Sequence, residues 1–334
     1  MKFSFIIPIY NTPIEKLEKC IDSIKKISKY KYEIILINDG SKNEDIVEFC
    51  KDKCLLDKNI MYVYQENMGS ASARNKGLDC IDGDYIFFVD ADDEFDASCV
   101  YSIDFKSDLY IFDYTVVCKE SRCKNTLNLE TDNITDKNMI YSSIMFNPFI
   151  HNGFLFGSIW GKCFRREVIN KNNIRFDTKL RKAQDRRFML DIIKCSSFIK
   201  YCPVNSYYYK VNNMSISHKY DLNTIKYYNI LYNSMKKFCE DNMLDESVNK
   251  YLEFSIVNEL LPLTVFHKLN KDSKSEKKKL FQEIKRIFNF DESLRKMTIG
   301  DFESITFKVK YLIYKLNSFY LIDKMISAIE SRYE

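Results

Sequence analysis

Glycine and proline are scarce in this chain, which has eight glycines and five prolines among 334 residues. All but one of the glycines lie in the first 161 residues, which predicts a turn-rich α/β part followed by a helical part. The glycine-rich phosphate loops of other nucleotide-binding folds are absent: no Gly-x-Gly-x-x-Gly follows the first predicted strand, and there is no Gly-x-x-x-x-Gly-Lys-Ser/Thr. A bound phosphate would therefore have to be neutralised by a metal ion or by cationic side chains.

Long apolar runs and paired cysteines are missing as well. No segment of the sequence approaches the roughly 18–20 apolar residues of a membrane span. The eleven cysteines include no Cys-x-x-Cys and no zinc-type spacing, and no secretory signal is visible, so we expect free thiols and a cytoplasmic location. The net charge of +4 is too small to indicate a nucleic-acid partner.

Apolar runs of strand length alternate with helical patterns in the first ninety residues. The predicted strands are 3–9, 33–39, 60–64 and a run that ends at Asp90; the predicted helices are 13–28, a helix capped by Ser41, and 70–78. Thr12 and Pro13 predict the N-cap and the first residue of the first helix. This order predicts a mostly parallel sheet with helices on both faces, whose ligands bind beyond the carboxyl ends of the strands.

The predicted strand that begins at Tyr85 stops on the carboxylates Asp90, Asp92 and Asp93. Side chains alternate along a strand, so Asp90 and Asp92 are expected on one face while Ala91 faces away. Two hard oxygen donors would form half of a Mg²⁺ or Mn²⁺ site, completed by water and a substrate diphosphate. The alternative is a polar turn that ends a buried strand.

Other polar residues fall at the same predicted edge of the sheet. The clusters 8–11, 38–41 and 90–92 all follow predicted strands, so together they predict one site. Arg74, early in a helix of small residues, is placed to meet phosphate charge. Its alternative role is that of a solvated arginine on a helix face.

Four segments, taken in order, resemble glycosyltransferase family 2, whose members have the GT-A fold. They are residues 5–11 (Phe-Ile-Ile-Pro-Ile-Tyr-Asn), 35–41 (Ile-Leu-Ile-Asn-Asp-Gly-Ser), 65–77 and 83–93, and a fifth block lies at 157–166 and 182–189. The resemblance implies an α/β fold with a Rossmann-like, mostly parallel sheet and helices on both faces, followed by a helical C-terminal region. The predicted domains are a GT-A domain over 1–220, with a nucleotide-binding half 1–95 and an acceptor half 96–220, and a helical region over 221–334.

The resemblance also implies which residues would bind a nucleotide-sugar, usually a UDP-sugar. They are Pro8, Tyr10, Asn11, Asp39, Arg74, Asp90, Ala91, Asp92 and Lys162. The loop 8–11 would pack against the nucleotide, Asp39 would hydrogen-bond the base, and Arg74 would face the diphosphate or the base. Asp90 would hold the ribose side or a metal-bound water. Asp92 would be the direct ligand of Mn²⁺ or Mg²⁺.

On the acceptor side, the resemblance implies that Asp185 is the base of an inverting transfer. A carboxylate there would take the acceptor proton as the new bond forms. The alternative is a helix-terminal acid that the helix dipole favours. Family members usually have Glu-Asp at this point, and Gln184 replaces the glutamate here. Gln184 and Arg187 are also similar to part of the Gln-x-x-Arg-Trp motif of processive synthases, so both are candidate acceptor residues.

Two further residues are candidates because of their chemistry. His218 follows a segment where the chain of family members returns to the active site, so it could complete the metal site; an incidental histidine in a polar loop is the alternative. Trp160, the single tryptophan, could stack on an acceptor sugar, and packing in the core is the equal alternative.

The C-terminal part is helical and locally basic. The predicted helices are 225–239, 248–269, 276–288 and 307–329, and residues 119–132 upstream form a polar hairpin or loop. Lysines alternate with aliphatic and aromatic residues in the last helix, which is typical of a helix that lies on an anionic membrane surface. The alternative is a helix that docks on the catalytic domain or on a second subunit. Docking on a second subunit would make the protein a homo-oligomer.

Taken together, these patterns and the resemblance to family 2 predict a metal-dependent inverting glycosyltransferase. It would move a sugar from a UDP-sugar to a glycan or lipid-linked oligosaccharide acceptor in a bacterial capsule, lipooligosaccharide or O-antigen pathway, in the cytoplasm or at the cytoplasmic face of the inner membrane. One rival is a sugar nucleotidyltransferase, which should carry a glycine-rich basic loop after the first strand. The other is an inactive scaffold, which would be expected to lack one of Asp39, Asp90, Asp92 and Asp185.

Overall fold

The computed structural model describes residues 1–118, 121–127, 129, 131–146, 154–211, 220–245, 251–302 and 304–330. The chain divides into two compact units. The first consists of Met1–Lys137 and Ser158–Asn212, and the second consists of Asn138–Gly157 and Asn213–Glu334. The boundary predicted from the sequence lay between residues 220 and 221.

The first unit contains one mixed sheet with helices. In chain order its elements are β1 (Lys2–Ile9), α1 (Ile14–Lys25), β2 (Lys31–Asp39), α2 (Glu44–Leu56), β3 (Ile60–Gln65), α3 (Ser70–Cys80), β4 (Tyr85–Phe88), β5 (Glu94–Phe95), a 3₁₀ helix (Ala97–Ser102), β6 (Leu109–Val117), β7 (Arg122–Asn125), β8 (Lys162–Arg165), α5 (Arg166–Lys171), α6 (Gln184–Cys195) and β9 (Ile199–Lys210). The α/β alternation that the sequence predicted for the first ninety residues is confirmed.

The sheet runs in the order β3-β2-β1-β4-β8-β6-β9-β5, with β7 paired to β6. The strands β3, β2, β1 and β4 are parallel neighbours, which places their carboxyl ends at one edge. β8 pairs antiparallel with β4 and with β6, so the sheet becomes mixed beyond β4. β7 forms a hairpin with β6, as expected for the segment after residue 118.

Buried apolar and aromatic side chains hold the parallel half together. Phe5 of β1 stacks on Phe87 of β4 with ring centroids 5.1 Å apart, and both rings contact Phe95. Helix α3 packs on β1 through Gly77, where an added Cβ would lie only 2.4 Å from the Cγ2 atom of Ile6. A residue larger than glycine would therefore push α3, and everything it carries, away from the sheet.

Two helix starts differ from the sequence prediction. Helix α1 begins at Ile14 with Pro13 as its N-cap, because the Pro13 carbonyl accepts the N–H groups of Lys16 and Leu17 while its ψ of 133° is not helical. Thr12 is therefore not the cap. The N-cap of α2 is Asn43, whose side chain accepts the N–H of Asp45, and Ser41 is not the cap either.

The fourth strand is also shorter than predicted. β4 ends at Phe88, and Asp90 to Asp93 form a turn closed by a hydrogen bond from the Asp93 N–H to the Asp90 carbonyl at 3.1 Å. The expected strand alternation of Asp90 and Asp92 is therefore wrong, since both carboxylates lie in a turn. The turn itself was the alternative that the sequence offered.

The second unit is helical in the part that the structure describes. Its helices are α4 (Lys137–Phe146), α7 (Asn223–Asp241), α8 (Leu252–Leu263), α9 (Lys274–Ile287), α10 (Phe290–Lys296), a 3₁₀ helix (Ile299–Asp301), α11 (Ile305–Lys315) and α12 (Phe319–Glu330). The single last helix predicted over 307–329 is wrong, because Asn317 takes a left-handed backbone conformation (φ 52°) and separates α11 from α12. Lys285 of α9 donates to the Asn317 side chain at 2.8 Å and fixes this turn.

Candidate active site

Two loops meet at the carboxyl ends of β1 and β2. The N–H of Asn11, a residue with φ 51°, donates to the Ser41 hydroxyl at 3.0 Å, and the Asn11 side chain accepts the N–H of Lys42 at 2.9 Å. Ser41 in turn donates its N–H to the buried side chain of Asn38. Tyr10, which precedes Asn11, is 40% exposed, so its ring is available to a ligand. Pro8 lies within β1, half-buried, opposite Ile37 of β2.

Asp39 organises the loop that precedes α3. One carboxylate oxygen accepts from the Gln65 side chain at 2.7 Å and from the Met68 N–H at 2.8 Å; the other accepts from the Gly69 N–H at 2.9 Å. A carboxylate offers about four acceptor sites, so three of them serve the protein and one remains for a ligand. Contact with a base stays a prediction for Asp39, whereas its role in the loop is structural.

The turn after β4 divides the three aspartates into different environments. Asp93 is buried, accepts from the Tyr207 hydroxyl at 2.9 Å and from the Lys210 N–H at 2.7 Å, and so joins the turn to β9. Burial, together with the neighbouring Asp90, raises the pKa of Asp93 well above its usual value. The Tyr207 hydroxyl also accepts the Asp90 N–H at 3.0 Å, and Ala91 is buried.

Asp93 and Tyr207 had no role predicted from the sequence. Three carboxylates in four residues were the visible signal for Asp93. Tyr207 is 117 positions from Asp90, and no local pattern pairs the two.

Arg74 joins the turn after β4 to the start of α6. Its NH2 donates to an Asp90 oxygen at 2.9 Å and its NH1 to an Asp185 oxygen at 3.0 Å, while the guanidinium lies 5.6 Å from the Phe176 ring centre. Arg74 is only 5% exposed. Burial by itself would lower the pKa of Arg74, but Asp185 and Asp90 outweigh it and raise the pKa. The alternative of a solvated arginine is wrong.

Helix α6 begins with the two residues expected on the acceptor side. Ala183 precedes it in a left-handed conformation (φ 56°), and the Gln184 side chain donates to the Ser70 hydroxyl at 2.7 Å. Asp185 retains a side-chain exposure of 24%. Burial raises the pKa of Asp185 and Arg74 opposes this effect, but the pKa stays above the usual value. The carboxylate therefore has a higher proton affinity than an ordinary aspartate.

Lys162 is a buried cation at the start of β8. Its ammonium group donates to the Ser158 hydroxyl at 3.1 Å. Burial lowers the pKa of Lys162 to about 7, while the Asp185 carboxylate acts in the opposite direction. The structure therefore places an acid, an arginine and a lysine within electrostatic reach of one another.

The remaining candidates differ in how the structure places them. Trp160 is 7% exposed and stacks with Tyr207 and Tyr209 at 5.0 and 5.3 Å, the core packing that the sequence offered as its alternative role. Arg187 forms an ion pair with Asp191 one helical turn away. Contact of either residue with an acceptor stays a prediction, and His218 lies outside the described residues.

The donor set of the turn after β4 fits a divalent cation. Asp92 is half-buried, and its carboxylate makes no hydrogen bond or ion pair within the ranges that the structure describes. Asp90 has one oxygen on Arg74 and a side-chain exposure of 35%. Two hard carboxylates with free lone pairs suit Mg²⁺ or Mn²⁺. No group of three or more His, Cys, Asp or Glu ligands occurs in the described part of the chain, so other ligands would have to come from water or substrate.

Comparison with known proteins identifies the family. Residues 4–171 match the family model of glycosyl transferase family 2. The chain belongs to glycosyltransferase family 2. This family 2 protein is 28% identical to glycosyltransferase GlyA of Streptococcus pneumoniae over 227 residues, which are 65% of this chain and 31% of GlyA. It is also 28% identical to poly(ribitol-phosphate) beta-N-acetylglucosaminyltransferase TarP of Staphylococcus aureus over 232 residues, which are 66% of each protein.

A solved structure has a similar fold over almost the whole chain. The crystal structure of S. aureus TarS 1–349 in complex with UDP-GlcNAc matches with a TM-score of 0.68 at 15% identity, covering 99% of this chain and 92% of the TarS chain. The GT-A fold expected from the sequence is thus confirmed, together with the helical C-terminal region. Among the described helices of this family 2 protein, none has the length and apolar character that crossing a membrane requires.

Proposed function

We propose that this protein transfers a sugar from a UDP-sugar to a hydroxyl group of a glycan acceptor during synthesis of a bacterial surface polysaccharide, with inversion at the anomeric carbon. A capsule, lipooligosaccharide or O-antigen glycan is the expected product. Membership of family 2 supports transferase chemistry. The UDP-GlcNAc complex of TarS and the name of TarP support a UDP-sugar donor, here of the hexosyl or N-acetylhexosaminyl type, and a surface-polymer acceptor.

The observation that carries this proposal is the arrangement Asp90–Arg74–Asp185. Arg74 holds one carboxylate on the donor side and another on the acceptor side through contacts of 2.9 and 3.0 Å. A transferase needs these two functions close together, because the sugar lies between the leaving diphosphate and the attacking hydroxyl. Without Arg74, two like charges would repel each other in this buried region.

On the donor side, Asp92 and Asp90 would hold Mn²⁺ or Mg²⁺. The bound metal would neutralise the charge that develops on the leaving diphosphate. Lys162, whose pKa of about 7 leaves it partly protonated near neutral pH, would add positive charge near Asp185. The remaining acceptor site of Asp39 and the exposed ring of Tyr10 beside Asn11 would orient the base and the nucleotide.

On the acceptor side, Asp185 would act as the base. The acceptor oxygen forms a bond to the anomeric carbon, its proton moves to Asp185, and the bond from that carbon to the diphosphate oxygen breaks with its electron pair on the departing UDP. The raised pKa of Asp185 makes the carboxylate a better proton acceptor than an ordinary aspartate. Attack from the side opposite the leaving group gives inversion, and no second nucleophile is required.

The two rival functions fit the site less well. A nucleotidyltransferase would use a glycine-rich basic loop after β1, and the chain has Tyr10-Asn11-Thr12-Pro13 there. An inactive scaffold would have no use for a carboxylate with a raised pKa beside a buried arginine, a pair whose burial costs stability.

Nucleotide release from UDP-, GDP- and dTDP-sugars, measured with Mn²⁺, Mg²⁺ or EDTA, tests the proposal. We expect turnover of one UDP-sugar that EDTA abolishes and that Asp92→Asn reduces by about 10²-fold or more. Asp79→Asn is the matched control, because Asp79 lies on α3 with an exposed side chain paired only to Arg175 among the described contacts. Absence of nucleotide-sugar binding and turnover in the wild type would favour the scaffold. Full activity in EDTA would overturn the metal assignment.

A further inference from the structure

Helix α11 presents a row of apolar side chains away from the core of the second unit. Ile305, Val309, Leu312 and Leu316 follow one another at intervals of four, three and four residues, which places them on one helix face. They are 78%, 47%, 47% and 67% exposed. We call this row the α11 stripe. Exposed Tyr320 and Leu321 follow it directly, after the turn at Asn317.

The opposite face of α11 already has its partners. The Tyr311 hydroxyl donates to the Met297 carbonyl at 2.7 Å, and the Tyr314 hydroxyl donates to the Asn258 side chain at 3.3 Å. The Tyr314 ring also packs edge-on against Phe254 and Phe290. Packing within the unit thus fixes the helix without using the α11 stripe.

The charged residues of α11 are all basic. α11 carries Lys308, Lys310 and Lys315 and no acidic residue. At 3.6 residues per turn, Lys308 and Lys315 flank one side of the stripe, whereas Lys310 lies towards the packed face, with its ammonium 4.9 Å from the centre of the Phe307 ring. The Lys315 ammonium donates to the Leu294 carbonyl and the Tyr311 hydroxyl, so this lysine is held at the flank. An apolar ridge with lysines along one side is the pattern of an amphipathic helix that lies in a lipid–water interface.

We propose that the α11 stripe binds an anionic lipid surface. The four apolar side chains would enter the acyl boundary while the flanking lysines meet anionic headgroups. A second copy of the chain fits less well, because an antiparallel twofold contact through this face would bring Lys308 and Lys315 of both copies to the same side. Tyr320 beside the stripe is of the amphipathic type that is enriched at membrane interfaces.

Co-sedimentation of the full chain with vesicles tests this proposal. The probes are vesicles of phosphatidylcholine with about 30% phosphatidylglycerol and vesicles of phosphatidylcholine alone, each at low and high salt. We expect binding to the anionic vesicles that salt weakens. Leu312→Gln/Leu316→Gln should reduce the partition coefficient by about tenfold for each leucine that enters the interface. Lys308→Glu should reduce it by about tenfold, because an attractive charge becomes a repulsive one.

Leu55→Gln/Leu56→Gln is the matched control, since both leucines are 84% exposed near the end of α2. This variant should bind vesicles like the wild type. Glutamine keeps helix propensity close to that of leucine, and circular dichroism checks that each variant is folded. No vesicle binding by the wild type, or equal binding by the stripe variant, overturns the proposal. Sedimentation equilibrium tests whether a second copy of the chain covers the stripe instead. If the wild type forms a dimer but does not bind vesicles, and only the stripe variant is monomeric, the stripe belongs to a dimer interface. The vesicle test has no sugar-transfer readout, so its outcome is independent of the proposed reaction.

Discussion

Arg74 holds Asp185 and Asp90 at the same time, with N–O distances of 3.0 and 2.9 Å. The two acids are far apart in the chain and belong to the acceptor and donor sides of the proposed reaction. A planar guanidinium presents several donors in fixed directions, which suits a residue that must satisfy two carboxylates. The NH1 and NH2 groups of Arg74 bind these two carboxylates of the protein. Arg74 therefore positions the two acids in this structure and is not directed only at a diphosphate.

Arg74→Lys should lower kcat by about 10²-fold, because an ammonium group cannot hold both carboxylates in the same geometry. The KM for the donor should change less than kcat. Steady-state transfer kinetics check this, with Arg175→Lys as the control, since Arg175 pairs with the exposed Asp79. An unchanged kcat in Arg74→Lys would show that the contacts of Arg74 with Asp90 and Asp185 have no role in catalysis.

The pH dependence of transfer should reflect the raised pKa of Asp185. The base works only when it is deprotonated, so the rate falls as the pH decreases through this pKa. Because burial raises it, the acidic limb of kcat/KM should lie above the pKa of about 3.9 of an unperturbed aspartate. Arg74→Lys should move the limb to still higher pH if it weakens the opposing positive charge. An acidic limb at the ordinary aspartate value would contradict this assignment.

Lys162→Met should stabilise the protein and impair catalysis. The pKa of Lys162 is about 7 in the folded state, below that of an unfolded lysine, so the buried cation costs stability in full below pH 7. This cost is relieved as the pH rises from 7 towards the unfolded value. At pH 6 the variant should gain about 1–4 kcal/mol in the free energy of unfolding, while kcat/KM for the donor falls. Urea unfolding at pH 6 and pH 9 checks the sign, and a loss of stability at pH 6 would refute it.

Gly77→Ala should destabilise the first unit by about 1–3 kcal/mol, because the new methyl group would overlap the buried Ile6 side chain. Movement of α3 should also displace Arg74 and reduce activity. Gly300→Ala is the control, since the nearest atom to its added Cβ is 3.7 Å away. Thermal unfolding measures both variants. Equal melting temperatures would mean that α3 adjusts without cost.

The sequence predicted one candidate site because the clusters 8–11, 38–41 and 90–92 each follow a predicted strand of a mostly parallel sheet. The carboxyl ends of parallel strands lie at one edge, so Asn11, Asp39 and Asp90 were expected there. The exact end of β4 did not follow, since an apolar run alone does not distinguish a strand residue from a turn residue that packs inward. The alternation argument for Asp90 and Asp92 failed for this reason.

Long-range side-chain pairs were inaccessible to the same reasoning. Nothing in the local sequence pairs Arg74 with an acid 111 residues later, or the turn at Asp93 with Tyr207. The break between α11 and α12 was missed because asparagine tolerates both helical and left-handed conformations, and its contact with Lys285 is a long-range one that no local pattern indicates.

The transfer rate of Asp185→Asn at saturating donor tests the central claim most directly. Asparagine keeps the size of the side chain and can still accept a hydrogen bond from Arg74, but it cannot take a proton. We expect kcat to fall by about 10²–10⁴-fold with the donor affinity largely retained, while Asp79→Asn behaves like the wild type. If Asp185→Asn keeps full transfer activity on a glycan acceptor, Asp185 is not the base and another carboxylate takes the acceptor proton.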